Sequence, residues 1–219
     1  MTMDFQQARF NMVEQQVRPW DVLDQGVLDA LLQLQRDAFV PAAYRQLAYS
    51  DTRIPLGGGR FMMTPKLEAR MVQALGLKGT DRVLEIGTGS GYVTVLLARF
   101  SRSVLSLELD PEVAAEARKK LRAQGCVNAS VVVADGLNGS PDNGPFDAIA
   151  VTGALTVRSP VLEAQLAVGG RLFAVVGQGH AMPALLVTRV SESEFVEESL
   201  FETELEPLSG AEPKPSFRF

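Results

Sequence analysis

The chain has 219 residues, 46% of them hydrophobic and 21% charged, with a formal net charge of -5; this fits one sizeable globular core. The acidic balance lacks the basic surface that nonspecific nucleic-acid binding requires, and the lone Cys126 excludes an internal disulfide framework. There is no apolar run of transmembrane length, no secretory h-region after Met1 and no Cys/His cluster for a metal, so the expectation is a cytoplasmic protein without membrane, nucleic-acid or metal partners.

Residues 4–17 and 24–36 place apolar residues at helical spacing. Asp24 is positioned to cap the second helix, and Pro19 in Arg18-Pro19-Trp20 separates the two. This N-terminal helical extension (1–50) is expected to pack on the core, with Trp20 as its anchor. A loop and a helix fill 51–78. From Thr80 short apolar runs alternate with longer helical ones: strands at 83–86, 104–108, 130–133, 146–151 and 171–176, and helices at 92–100, 111–124 and 160–167. That alternation predicts an α/β fold with right-handed crossovers and a mostly parallel sheet over 79–180. The remainder, 181–219, reads as an antiparallel hairpin (184–190 and 195–201) and an acidic tail, all within a single domain. Residues 191–219 hold eight Glu against one Lys and one Arg, the pattern of a solvated edge that resists sheet-to-sheet pairing. His180 is expected to face solvent, and Cys126 to act as a small apolar residue.

The chemistry concentrates at Val83-Leu84-Glu85-Ile86-Gly87-Thr88-Gly89-Ser90-Gly91-Tyr92, a buried strand that runs into a glycine turn and a helix. Gly87, Gly89 and Gly91 permit a sharp turn and close approach of a ligand. The dinucleotide fingerprint G-x-G-x-x-G needs a further glycine where Tyr92 stands, so a cofactor without a pyrophosphate is indicated. Glu108 ends the second strand 21 positions after Gly87, where a carboxylate accepts from a ribose diol. Asp135-Gly136 follows the third strand, with the carboxylate placed for an adenine amino group. Glu85 is expected near the methionine part of such a cofactor, or holding the turn through backbone N–H groups. Together with Thr88, these residues look like the adenosine site of an S-adenosylmethionine-dependent methyltransferase, with a Rossmann-like sheet.

The stretch Arg53-Ile54-Pro55-Leu56-Gly57-Gly58-Gly59-Arg60-Phe61-Met62-Met63-Thr64-Pro65 resembles the I-P-I-G-x-G-Q-T-I-S-x-P segment of the protein-L-isoaspartate O-methyltransferase family. The Glu108 strand end, Asp135-Gly136, the 147–151 strand and Gln165-Leu166…Gly169-Gly170-Arg171-Leu172 follow in that family's order, and Val175-Val176-Gly177 matches its P-V-G in part. The similarity covers about residues 40–180. It implies S-adenosyl-L-methionine as cofactor and a carboxylate of damaged aspartyl residues, in a peptide or protein, as methyl acceptor. It also places Arg60, Phe61, Met63 and Thr64 in the substrate pocket. Here Met63 stands at the family's serine, Arg60 at its glutamine and Phe61 at its threonine, and Gly153-Ala154 replaces its Ala-Pro. A thioether accepts hydrogen bonds only weakly, so Met63 does not reproduce a serine's contacts.

Methyl transfer to a carboxylate that is already ionised near neutral pH is a displacement that needs no general base. No residue is therefore assigned a catalytic role. Two further readings stand beside this one: a methyltransferase with another acceptor, and a non-catalytic S-adenosylmethionine-binding interaction protein. The sequence carries no sign of oligomeric state.

Overall fold

The computed structural model describes residues 4–212. Its seven-stranded sheet has the order β5-β4-β3-β6-β7-β8-β9. The strands are β3 (Arg82–Ile86), β4 (Ser103–Glu108), β5 (Ala129–Val133), β6 (Phe146–Val151), β7 (Leu166–Val175), β8 (Met182–Arg189) and β9 (Phe195–Thr203). The first five pair in parallel, and β8 and β9 return antiparallel. Chain order reverses at β3, with β4 on one side and β6 on the other, and such a switch point opens a crevice at the strands' carboxyl ends.

Alternate residues of the sheet feed two cores. Val83, Val104, Ala148 and Phe173 face α1 (Phe5–Met12), α2 (Gln25–Gln33), α3 (Pro65–Leu75) and α4 (Tyr92–Ala98). Leu84, Ile86, Ile149 and Leu172 face the side carrying α6 (Pro160–Glu163). The remaining helix, α5 (Pro111–Ala123), crosses from β4 to β5 with Asp110 capping it through Glu112 and Val113 N–H groups.

The N-terminal extension packs on the body as expected. Asp24 caps α2 by accepting from Val27 N–H. Trp20 meets Phe201 of β9 edge-on at 6.1 Å, under the Lys66 ammonium at 4.0 Å from its ring centre. His180 is exposed and Cys126 half-buried. Among the described residues no helix is long and apolar enough to cross a membrane.

Besides shifts of one or two residues at other element ends, three features depart from the sequence reading. The second helix stops at Gln33, where Leu34 turns extended and sends Arg36 into the core. The helix expected over 160–167 ends at Glu163, because Gln165 O accepts from Phe146 N–H (2.9 Å) and Leu166 pairs with Phe146, so β7 begins there. Residues expected as loop form an antiparallel hairpin of β1 (Ile54–Gly57) and β2 (Arg60–Met62). This hairpin stands over the crevice.

Candidate active site

The turn after β3 is built by backbone. Gly87 and Thr88 N–H donate to Leu107 O of β4 at 2.9 and 3.3 Å, tying the turn to the neighbouring strand. Thr152, after β6, donates its hydroxyl to Ile86 O and Gly87 O (2.9 and 2.6 Å). Gly87 has φ +92°, and a Cβ there would lie 2.5 Å from Thr152 Oγ1. Gly91, at φ +84°, lets α4 start against α5; a Cβ would lie 2.8 Å from Leu121 Cδ1. The Tyr92 ring turns away from the crevice and packs edge-on against Phe39 at 5.4 Å.

Two carboxylates complete this end. Glu108 is buried; its Oε2 accepts from Gly89 N–H (2.8 Å) and its Oε1 from Asp110 N–H (3.1 Å). Each oxygen keeps a lone pair for a ligand hydroxyl. Asp135 Oδ1 accepts from Leu137 N–H and Oδ2 from the Asn138 amide. Glu108, Asp135 and Gly136 share with Gly87 and Gly89 a cavity of about 270 Å³, near the lower end of the roughly 300–1,000 Å³ range of small-molecule sites. Bare backbone at the turn, spare carboxylate lone pairs and the apolar Leu107, Leu109 and Leu137 fit an adenosine-bearing cofactor.

Glu85, Thr88 and Gly91 lie differently. Glu85 points to the opposite face of β3 from Ile86 and does not line the cavity; its Oε2 accepts from Ser106 Oγ (2.5 Å) and Thr94 Oγ1 (2.6 Å). Burial pushes its carboxyl up to about 8, against the two hydroxyl donors that pull it down. Thr88 also shares a short hydrogen bond with Ser106, so Glu85 supports the turn from beneath. Gly91 acts in helix packing.

The hairpin forms the opposite wall. Arg60 lines the cavity, with Nη1 donating to Asp110 Oδ2 (2.7 Å) and Nε to Gly57 O (3.2 Å). This hydrogen bond holds the Asp110 carboxyl below the usual carboxylate range, aided by the helix amides. It is the one hydrogen bond from residues 54–62 to the rest of the described chain. Phe61 lines the main cavity and an adjoining narrow cleft of about 40 Å³, which Met63, Glu68, Thr88 and Ser90 also line. Met63 is buried, and its carbonyl accepts from Arg36 Nη2 (2.7 Å). Arg36 also donates to Ala48 O (2.7 Å) and forms a two-pronged pair with buried Glu68. Burial raises the Glu68 carboxyl, and the guanidinium opposes that shift. Thr64, at the N-cap of α3, faces a separate outer cleft with Trp20, Arg53 and Glu204.

A third wall escaped the sequence reading. After β9 the chain folds back: Ala154 N–H donates to Glu206 O (2.8 Å) and Leu208 N–H to Ala154 O (2.9 Å). Leu205, Glu206, Pro207 and Leu208 thereby line the cavity. Only the interruption of the acidic run by Leu205 and Pro207-Leu208 hinted at this.

A parallel sheet with a glycine turn after β3, an acid closing β4 and another after β5, all on one cavity, defines the class of S-adenosylmethionine-dependent methyltransferases. A sequence profile described as protein-L-isoaspartate(D-aspartate) O-methyltransferase (PCMT) matches residues 8–212, and the chain belongs to that family. It is 41% identical to protein-L-isoaspartate O-methyltransferase 2 of Marinobacter nauticus, across 97% of each chain. The enzyme of the same name from Pelobacter propionicus is 42% identical, across 92% of this chain and 90% of its own. A Plasmodium falciparum structure in complex with S-adenosyl-L-homocysteine superimposes with a TM-score of 0.77 over 94% of this chain and 99% of its own; at 19% identity it speaks for the fold. The protein is thus an S-adenosylmethionine-dependent O-methyltransferase.

Proposed function

We propose that the protein methylates the free carboxylate of isoaspartyl residues in peptides or proteins, with Glu108 and Asp135 holding the adenosine of S-adenosylmethionine. The observation that carries this reading is the meeting of Gly87, Gly89, Glu108, Asp135 and Gly136 in one cavity whose outer wall is formed by Leu56 to Phe61 of the family's own segment. Glu108, fixed by two backbone N–H groups, is oriented before the ligand arrives, so ribose recognition needs no rearrangement. Asp135 and the Gly136 backbone take the adenine edge. The cofactor, when bound, supplies a methyl group on a sulfonium, which leaves as a neutral thioether. This chain's residues need supply only position and exclusion of water, because the acceptor carboxylate is already ionised. Phe61 and Met63 present apolar surface beside the turn and exclude water there.

The test is methyl incorporation into an isoaspartyl peptide and its normal aspartyl twin. Incorporation confined to the isoaspartyl peptide supports the reading; equal or absent incorporation overturns it. One observation favours a second reading, a different acceptor: the cleft at Met63 is narrow and walled by Phe61, Met62 and Met63. Met63→Ser distinguishes the two, since a gain of isoaspartyl methylation from an inactive parent points to a changed acceptor.

A further inference from the structure

Arg60 lines the main cavity and Arg53 the neighbouring outer cleft, and their partners differ. Arg60 is committed to the cofactor side by its bond to Asp110. Arg53, just ahead of β1, stands where the main cavity meets the outer cleft. Its Nη1 lies 2.7 Å from Glu206 Oε1 and 3.4 Å from Glu204 Oε1, and its guanidinium lies over the Phe61 ring at 5.9 Å. Phe61 and Glu206 line the cavity, Arg53 and Glu204 the outer cleft, and Leu205 both. The other cation of the outer cleft, Lys66, is engaged with Asp51 (2.7 Å) and with the Trp20 face.

A carboxylate arriving between the hairpin and the tail meets Glu204 and Glu206, whose like charge disfavours it. Arg53 is the guanidinium at that boundary, and both glutamates use the same nitrogen, Nη1. Its Nη2 and Nε form no hydrogen bond among the described residues, and the side chain is 35% exposed. A planar fork with its outer donors free is suited to an oxyanion. We propose that Arg53 is the specificity-determining cation for the acceptor. It holds one oxygen of the acceptor carboxylate and leaves the other to react, with Glu204 and Glu206 as its partners until the acceptor displaces them. This rests on the carboxylate-acceptor reading above.

Arg53→Gln and Glu206→Gln separate this role from a structural tie, because the two roles predict different signs. Initial rates with an isoaspartyl peptide, and calorimetry with S-adenosylhomocysteine, are measured on both variants after circular dichroism has checked folding. Arg53→Gln raises the peptide KM about tenfold, the cost of one charged contact, leaves S-adenosylhomocysteine affinity unchanged, and is partly rescued by Arg53→Lys. Glu206→Gln removes a competitor for the guanidinium and lowers the peptide KM or leaves it unchanged. Equal increases in KM for both variants, an unchanged KM in Arg53→Gln, or a matching loss of cofactor-product affinity would overturn the proposal. Should Arg53→Gln fail to fold, Glu206→Gln decides alone: a raised peptide KM overturns the role. An unaltered protein that does not methylate the isoaspartyl peptide overturns the acceptor reading and this role together; methylation that Arg53→Gln leaves intact overturns this role only.

Discussion

The proposed cofactor side and the proposed acceptor side of the cavity are built by different means. The cofactor side consists of strand ends and turns within 82–136, fixed by backbone donors such as Gly89 N–H on Glu108. The acceptor side is assembled from 54–63, 204–208 and the N-terminal extension; backbone bonds to Ala154 tie down 206–208, while arginine side chains join the pieces to one another: Arg36 to Met63 and Glu68, Arg53 to Glu206, Arg60 to Asp110. A backbone-built site keeps its geometry when side chains change. A site stitched by side chains can alter its specificity residue by residue while the fold persists, and the changes at Arg60, Phe61 and Met63 all fall on that side.

The largest effect is expected at the buried stitch. Glu68→Ala strands the Arg36 guanidinium in the core and should cost about 3–5 kcal/mol of unfolding free energy; a loss under about 1 kcal/mol by denaturant titration would show that the acceptor side is held by other contacts. Glu108→Ala should weaken S-adenosylhomocysteine roughly a hundredfold, the worth of two hydrogen bonds to a charged group; it also strips the Gly89 and Asp110 N–H groups of their acceptor, so folding is checked alongside by circular dichroism. Calorimetry giving full affinity would remove Glu108 from the cofactor side.

Glu85 supplies a pH test of what lies beneath the turn. Its folded value of about 8 lies above the ordinary 4.5, so the folded state holds the proton more tightly than the unfolded one. Its contribution to stability is complete below pH 4.5 and is lost as pH rises toward 8. Glu85→Gln should flatten that decline, by something on the order of 1–3 kcal/mol at pH 8; parallel stability profiles for variant and parent would refute it. The smallest effect belongs to Arg60→Ala. The pair with Asp110 is partly exposed, so release of S-adenosylhomocysteine should quicken only about twofold to fivefold, less at high salt. Stopped-flow release that is unchanged at low salt would mean the hairpin is not latched there.

The meeting of the glycine turn with Glu108 and Asp135 was legible in the sequence because its signal is local. A strand, three glycines and an acid 21 positions on lie in consecutive elements, and no distant contact is needed to place them. Strand period adds one point: Ile86 faces the cavity, so Glu85, one residue earlier, faces the other core. The acceptor side was legible only as a family segment. Its hairpin strands have four and three residues around three glycines, too short for a periodic signal. The return of 205–208 depends on Ala154, some 50 residues away in sequence. The end of α6 was misplaced for the same reason, since Ala164 to Ala167 suit a helix until Phe146 claims Leu166.

Arg36 sets a limit on how this protein can be rebuilt. Its side chain needs Ala48, Met63, Glu68 and the face of Tyr92 together, the last at 5.4 Å. A transplant of 60–64 from a relative would therefore bring in a loop whose anchor lies outside the graft, and trimming the chain ahead of Phe39 would leave Glu68 as a buried carboxyl without its counter-charge. Segment 60–64, Glu68 and the extension that carries Arg36 form one exchangeable unit, and protein engineers should move them as one.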